Sequence, residues 1–146
     1  MTEDQIIRKA LRIVEGRLQQ THGLVGSPSD AAHLAVLHTA TRKSEVFAML
    51  LLNTRYMLIE YRELFQGTID GASVYPREVV RAVIEANAAA VVFIHNHPSG
   101  IPEPSEADLS ITLKLQHALA LIEVRVMDHI IVGGTKTVSM AERGLI

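Results

Sequence analysis

Residues 98 to 104 read Pro98-Ser99-Gly100-Ile101-Pro102-Glu103-Pro104, and three prolines and a glycine within seven residues rule out both a continuing strand and a regular helix. This segment must fold as a structured loop. It joins two stretches of different character. Before it, Ala88 to Ile94 is short, apolar and partly β-branched, the pattern of a strand buried on both faces. After it, Ser105 to Leu121 has a helical rhythm. A loop restrained in this way can return the start of the helix to the end of the strand.

The remaining chain supplies the layers around this unit. Apolar positions from Ile6 to Leu18 recur at helical spacing and predict an amphipathic helix over residues 3 to 19. Thr21 to Ser29 gathers glycines, a proline and serines, a loop that forms the one plausible boundary, and Ser29 or Asp30 can cap a second helix running to about Thr39. Val46 to Leu52 and Tyr56 to Phe65, separated by Asn53-Thr54-Arg55, predict two antiparallel strands. Pro76 opens a helix through Asn87, Val124 to Val132 reads as a strand ending at Gly133-Gly134, and Thr137 to Met140 adds a short last strand. The pattern is an α/β domain of the α+β type, with a central sheet and helices packed on it.

Composition narrows the chemistry. A chain of 146 residues can bury a core in one domain without disulfides, and it contains no cysteine, which removes thiol nucleophiles and thiolate metal cages. Any zinc site must use His, Asp or Glu. The longest apolar runs fall short of a membrane span and no basic-then-apolar leader opens the chain, so a cytoplasmic protein with no membrane partner is expected. The net charge of -2 provides no global footprint for nucleic acid, although a local basic patch stays open.

Candidate chemistry collects at the junctions of the proline-rich loop. In extended backbone, residues two apart share a face, so His95 and His97 can present both imidazoles to one ion. Asp108, three residues into the helix that Ser105 begins, can be the third ligand. Three protein ligands with an open fourth position describe a catalytic rather than a structural zinc. Glu45, at the head of the strand Val46 to Leu52, can lie across the groove as a general acid/base, and Ser105 can donate to a developing oxyanion.

These residues resemble the JAMM (MPN-domain) metallopeptidase signature, a glutamate followed by His-x-His-x7-Ser-x2-Asp, which His95, His97, Ser105 and Asp108 meet without spacing error. Within that superfamily the chain is more similar to the bacterial RadC family. The matching segments are His95-Asn96-His97-Pro98-Ser99-Gly100, Leu64-Phe65-Gln66-Gly67-Thr68, Tyr75-Pro76-Arg77-Glu78 and Asp128-His129-Ile130-Ile131-Val132-Gly133-Gly134, and the likeness covers about residues 25 to 146. It implies residues 1 to 24 as an N-terminal helix and linker, followed by an MPN fold, a mixed sheet flanked by helices in a cytidine-deaminase-like three-layer arrangement. It implies one zinc ion per chain on His95, His97 and Asp108, with Glu45 as acid/base and Ser105 supporting the oxyanion. Relatives in the superfamily cleave isopeptide bonds, so a peptide or isopeptide substrate is expected, its identity left open together with the oligomeric state. Full-length RadC proteins typically carry a helix-hairpin-helix module, and about 40 residues precede Glu45 here, so a short form lacking that module is expected.

Plainer roles stand beside these. Ser105 and Asp108 form a simple helix cap worth about 1 kcal/mol, which Ser105 can combine with a catalytic role. Glu45 can be an ordinary charged residue at a strand edge. Asp128 and His129 read as a hydrogen-bonded structural pair, with a supporting role at the metal as the alternative. Arg77 and Glu78 read as a helix start, with a substrate contact for Arg77 as the alternative. His22, His33, His38 and His117 receive no role. A zinc peptidase or isopeptidase therefore competes with a DNA-processing or DNA-repair protein of the RadC family and with a noncatalytic MPN scaffold.

Overall fold

The computed structural model describes residues 1–20, 24–67 and 74–146, with the side chains of 18–20 left out. His22 and Thr68 lie outside the described residues. The element order is α1 (Glu3–Gln20), α2 (Pro28–Thr39), β1 (Val46–Leu52), β2 (Leu58–Gln66), α3 (Pro76–Ala86), β3 (Ala90–Asn96), α4 (Glu106–Ala120), β4 (Arg125–Gly133) and β5 (Lys136–Ser139). The strands form one mixed five-stranded sheet in the order β2-β1-β3-β4-β5, antiparallel at every pairing except β3 with β4. This is the expected α+β fold. Among the described residues no helix is long and apolar enough to cross a membrane.

Strand alternation builds two cores from one apolar run. In β1, Val46, Ala48, Leu50 and Leu52 meet Leu34 and Ala35 of α2, while Phe47, Met49 and Leu51 meet Val79 and Val83 of α3 and Leu115 and Leu119 of α4. Every residue of β1 is buried because both faces are covered, which explains why the sequence there is continuously apolar. The same alternation divides β3. Val92 and Ile94 face α2, whereas Val91 and Phe93 face α3 and α4.

Three boundaries differ from the sequence expectation. Ser27, rather than Ser29 or Asp30, caps α2: its extended backbone lets Oγ accept the Asp30 N–H at 3.2 Å, and Pro28 occupies the first helical turn, where a missing N–H costs nothing. The second strand starts at Leu58, not Tyr56. Asn53 Oδ1 accepts the N–H groups of both Arg55 and Met57, and Tyr56 sits in the left-handed region at φ 61°, so the turn consumes two residues of the apolar stretch. Asn87, expected inside α3, instead ends it in the left-handed conformation.

Candidate metal centre

β3 carries two histidines to one end of the sheet by different means. His95 lies within the strand, paired with Phe47 of β1, and its ring is buried toward the α4 side, close to Phe47 and His129. His97 is the first residue beyond the strand. Its N–H donates to Val132 O at 2.7 Å, which holds it alongside β4. The two imidazoles stand 4.9 Å apart between centroids and perpendicular to each other.

The proline-rich loop then closes on β4. Gly100 N–H donates to His97 O, and Gly100 takes the left-handed φ of 86° that this reversal requires. Ile101 O accepts from His97 Nδ1 at 2.9 Å, so Nε2, 3.1 Å from Asp108 Oδ2, is the nitrogen that can ligate an ion once its proton is displaced, the arrangement common to metal-binding histidines. Gly133 makes room for the crossing. On the exposed side, Arg143 grips Glu103 through two contacts of 2.7 and 2.8 Å.

The loop delivers Ser105 and Asp108 as a reciprocal cap. Ser105 Oγ accepts the Asp108 N–H at 3.1 Å, and Asp108 Oδ2 accepts the Ser105 N–H at 2.7 Å. The cap therefore exists, and it aims the carboxylate at the histidines: Asp108 Oδ1 lies 2.9 Å from His95 Nδ1 and Oδ2 lies 3.1 Å from His97 Nε2. One potential ligand atom from each of His95, His97 and Asp108 falls within a cluster no wider than 4.8 Å. Ligand atoms around a tetrahedral zinc stand about 3.3 Å apart, so the donor set fits one ion after small adjustments.

The ionised Asp108 favours a cation, while His97 holds a proton that a metal ion must displace. Burial alone would raise the Asp108 carboxyl, but the two imidazoles and the Ser105 N–H outweigh it and hold the group well below the usual carboxylate range. His97 is raised above its ordinary value, chiefly by its hydrogen bond to Asp108 against the opposing effect of burial. His95 is buried, and among the described residues neither of its ring nitrogens makes an aligned hydrogen bond, despite the short approach to Asp108 Oδ1. Buried polar atoms without hydrogen bonds are costly, and a bound ion would relieve one of these two nitrogens.

Glu45 stands on the rim. It is half-buried, and its Oε2 lies 3.8 Å from His95 Nε2. Ser105 is exposed, and its hydroxyl accepts in the cap while keeping its proton. Arg77 is at the surface, stacked over the Tyr75 ring and 3.8 Å from Glu78, and His33 and His117 are exposed. His38 stacks on Tyr61 and lies 3.5 Å from Glu15.

Asp128 and His129 serve separate tasks rather than forming a side-chain pair, because neighbours on a strand face opposite ways. Asp128 Oδ2 accepts the Ser139 hydroxyl, and Oδ1 accepts the N–H groups of His129 and Ala141, so this carboxylate binds the C-terminal turn to β4. His129 packs edge-on against Phe47 and Phe93. Its Nδ1 lies 2.6 Å from Thr112 Oγ1, which itself donates to Asp108 O at 2.6 Å. Thr112 has one hydroxyl proton and spends it on Asp108 O, so His129 Nδ1 is the donor to Thr112. Burial pushes His129 down to about 3, so the ring is neutral near pH 7.

Sequence reasoning passed over Asn96 and Thr112. Asn96 is buried, and its side chain bonds the backbone on either side of Glu45. The available signal was its residue type, since asparagine is disfavoured in strands and stands at the end of a buried one. Thr112 had none, because one threonine on a helix does not reveal what it faces.

A family model described as RadC-like JAB domain matches residues 25–145. A UPF0758 protein of Marinobacter nauticus is 52% identical over 137 residues, covering 94% of this chain and 61% of its own. One of Saccharophagus degradans is 62% identical over 105 residues, covering 72% and 47%, and one of Vibrio cholerae is 51% identical over 142 residues, covering 97% and 89%. The chain thus spans 61% and 47% of the length of the first two relatives.

Proposed function

The chain belongs to the RadC family of JAMM/MPN-type proteins, and from that premise we propose that it is a zinc-dependent hydrolase acting on a peptide or isopeptide bond. The observation that carries this reading is the cluster of buried His95 and Asp108 with half-buried His97, and the Glu45 carboxylate beside it but outside the three-residue donor group. A structural zinc site would fill its fourth position with a protein ligand.

When bound, zinc would supply a Lewis acid that polarises a carbonyl and acidifies a water. His97 is held in its ligating tautomer by Ile101 O, and Asp108 is held ionised by its neighbours. Glu45 would take a proton at its carboxylate as the water oxygen forms the new C–O bond, then return it to the amine as the C–N bond breaks. Ser105 keeps a hydroxyl proton that can be donated to the oxyanion formed between these steps.

The test is a hydrolysis screen of zinc-loaded protein against peptide, isopeptide and nucleic-acid substrates, with Glu45→Gln as the control. Cleavage of an amide bond that falls at least about 100-fold in Glu45→Gln, with zinc retained, is the expected result. A parent that stays metal-free after zinc loading at neutral pH overturns the reading. Cleavage of a phosphodiester alone would replace it with nucleic-acid processing.

A further inference from the structure

β1 and β3 stop pairing through their backbones just where Glu45 is needed. The last register pair is Phe47 with His95, and beyond it His97 turns its N–H toward Val132 of β4 instead. The head of β1 would be left with an unmatched N–H and C=O. The Asn96 side chain takes over both: Oδ1 accepts the Val46 N–H at 2.6 Å, and Nδ2 donates to Ser44 O at 3.1 Å and approaches Thr39 O at 3.5 Å. Glu45 lies between the two residues so held, and its own carbonyl accepts the Gly67 N–H at 2.8 Å.

We infer that Asn96 is a positioning residue that sets the Glu45 carboxylate beside the metal ligands by clamping the backbone before and after it. The inference rests on the proposed role of Glu45. The chemistry requires this residue type, because the clamp needs a donor and an acceptor on one short rigid group. Aspartate would turn a second oxygen toward Ser44 O, serine is too short to bridge both sites, and glutamine adds a methylene to a site only 3% exposed. Strand alternation assigns the tasks: His95 faces α4 and the ion, while Asn96 faces the α2 side and holds the base, so adjacent residues of one strand place both halves of the site.

The test uses the full chain loaded with Zn2+ or Co2+, comparing the parent with Asn96→Ser, Asn96→Asp and Glu45→Gln. Crystal structures of the zinc forms locate the Glu45 carboxylate, and the pH dependence of the Co2+ absorption bands reports the protonation it governs. The Asn96 variants are expected to keep one metal per chain, to move the carboxylate away from His95 by more than about 1 Å, and to shift the Co2+ titration toward that of Glu45→Gln by about one pH unit. Asn96→Asp, which keeps an acceptor for Val46 N–H, is expected to show the smaller effect. A carboxylate in its parental place in both variants overturns the inference, as does failure of both to fold, which would make Asn96 a purely structural residue. If Glu45→Gln leaves the Co2+ titration unmoved, the general-base reading falls, while a displaced carboxylate in Asn96→Ser still supports the clamp.

Discussion

Gly133 lies directly under Pro102: a Cβ added to Gly133 would stand 2.6 Å from the Pro102 nitrogen and 2.7 Å from Gly100 O. These are backbone atoms of the loop that carries the chain from His97 to Asp108, so no flexible side chain can yield. The candidate metal site therefore depends on a glycine at the end of β4 that supplies none of its donor atoms.

Gly133→Ala should lift this loop, lowering stability by about 1–3 kcal/mol and weakening metal binding although every ligand remains. Urea denaturation of metal-free protein, paired with a zinc competition titration, measures both. Parental values in each would show that the loop is not seated on Gly133.

The parent should hold about one zinc per chain, and His97→Ala and Asp108→Ala should each lose it. Elemental analysis of chelator-free protein checks this. Binding should also weaken as the pH falls, because Asp108 raises His97 above its ordinary value and zinc must displace that proton. Once His97 is protonated, the apparent affinity should drop about tenfold per pH unit for this one proton.

Ser105→Ala separates the cap from the site. Losing the hydroxyl that accepts Asp108 N–H should cost about 1 kcal/mol of metal-free stability while zinc stoichiometry stays at the parental level. If Ser105 also serves the oxyanion, turnover of a substrate found in the screen should fall by more than this loss of stability explains. Chemical denaturation and steady-state kinetics on one preparation distinguish the two roles.

His129 should impose an acid dependence on the metal-free fold. Its folded pKa is near 3, below the ordinary 6.5, so between these values the unfolded chain takes up a proton that the folded one refuses. Stability contributed by this group is whole above pH 6.5 and is lost as the pH falls. His129→Gln should flatten stability against pH between 6 and 4.5 by up to about 1.4 kcal/mol per pH unit. An unchanged slope would show that the ring is charged in the folded protein.

The linear sequence determined the elements and brought out His95, His97 and Asp108 as candidate ligands, because both are written in local spacing. The all-apolar β1, the apolar run of β3 that ends at Ile94, the proline-rich break after His97 and the Ser105 to Asp108 cap each follow from residues within a few positions of one another. Tertiary structure decided what those elements meet. Asn96 is 50 residues from the Val46 amide that it binds, and Gly133 reaches Pro102 only after a whole helix and strand intervene. Whether Glu45 approached His95 depended on the sheet order and on the register of β1 against β3, which periodicity leaves undetermined because a strand buried on both faces fits more than one neighbour. The same limit separated Asp128 from His129, since adjacency along a strand sends side chains to opposite faces, where different partners wait.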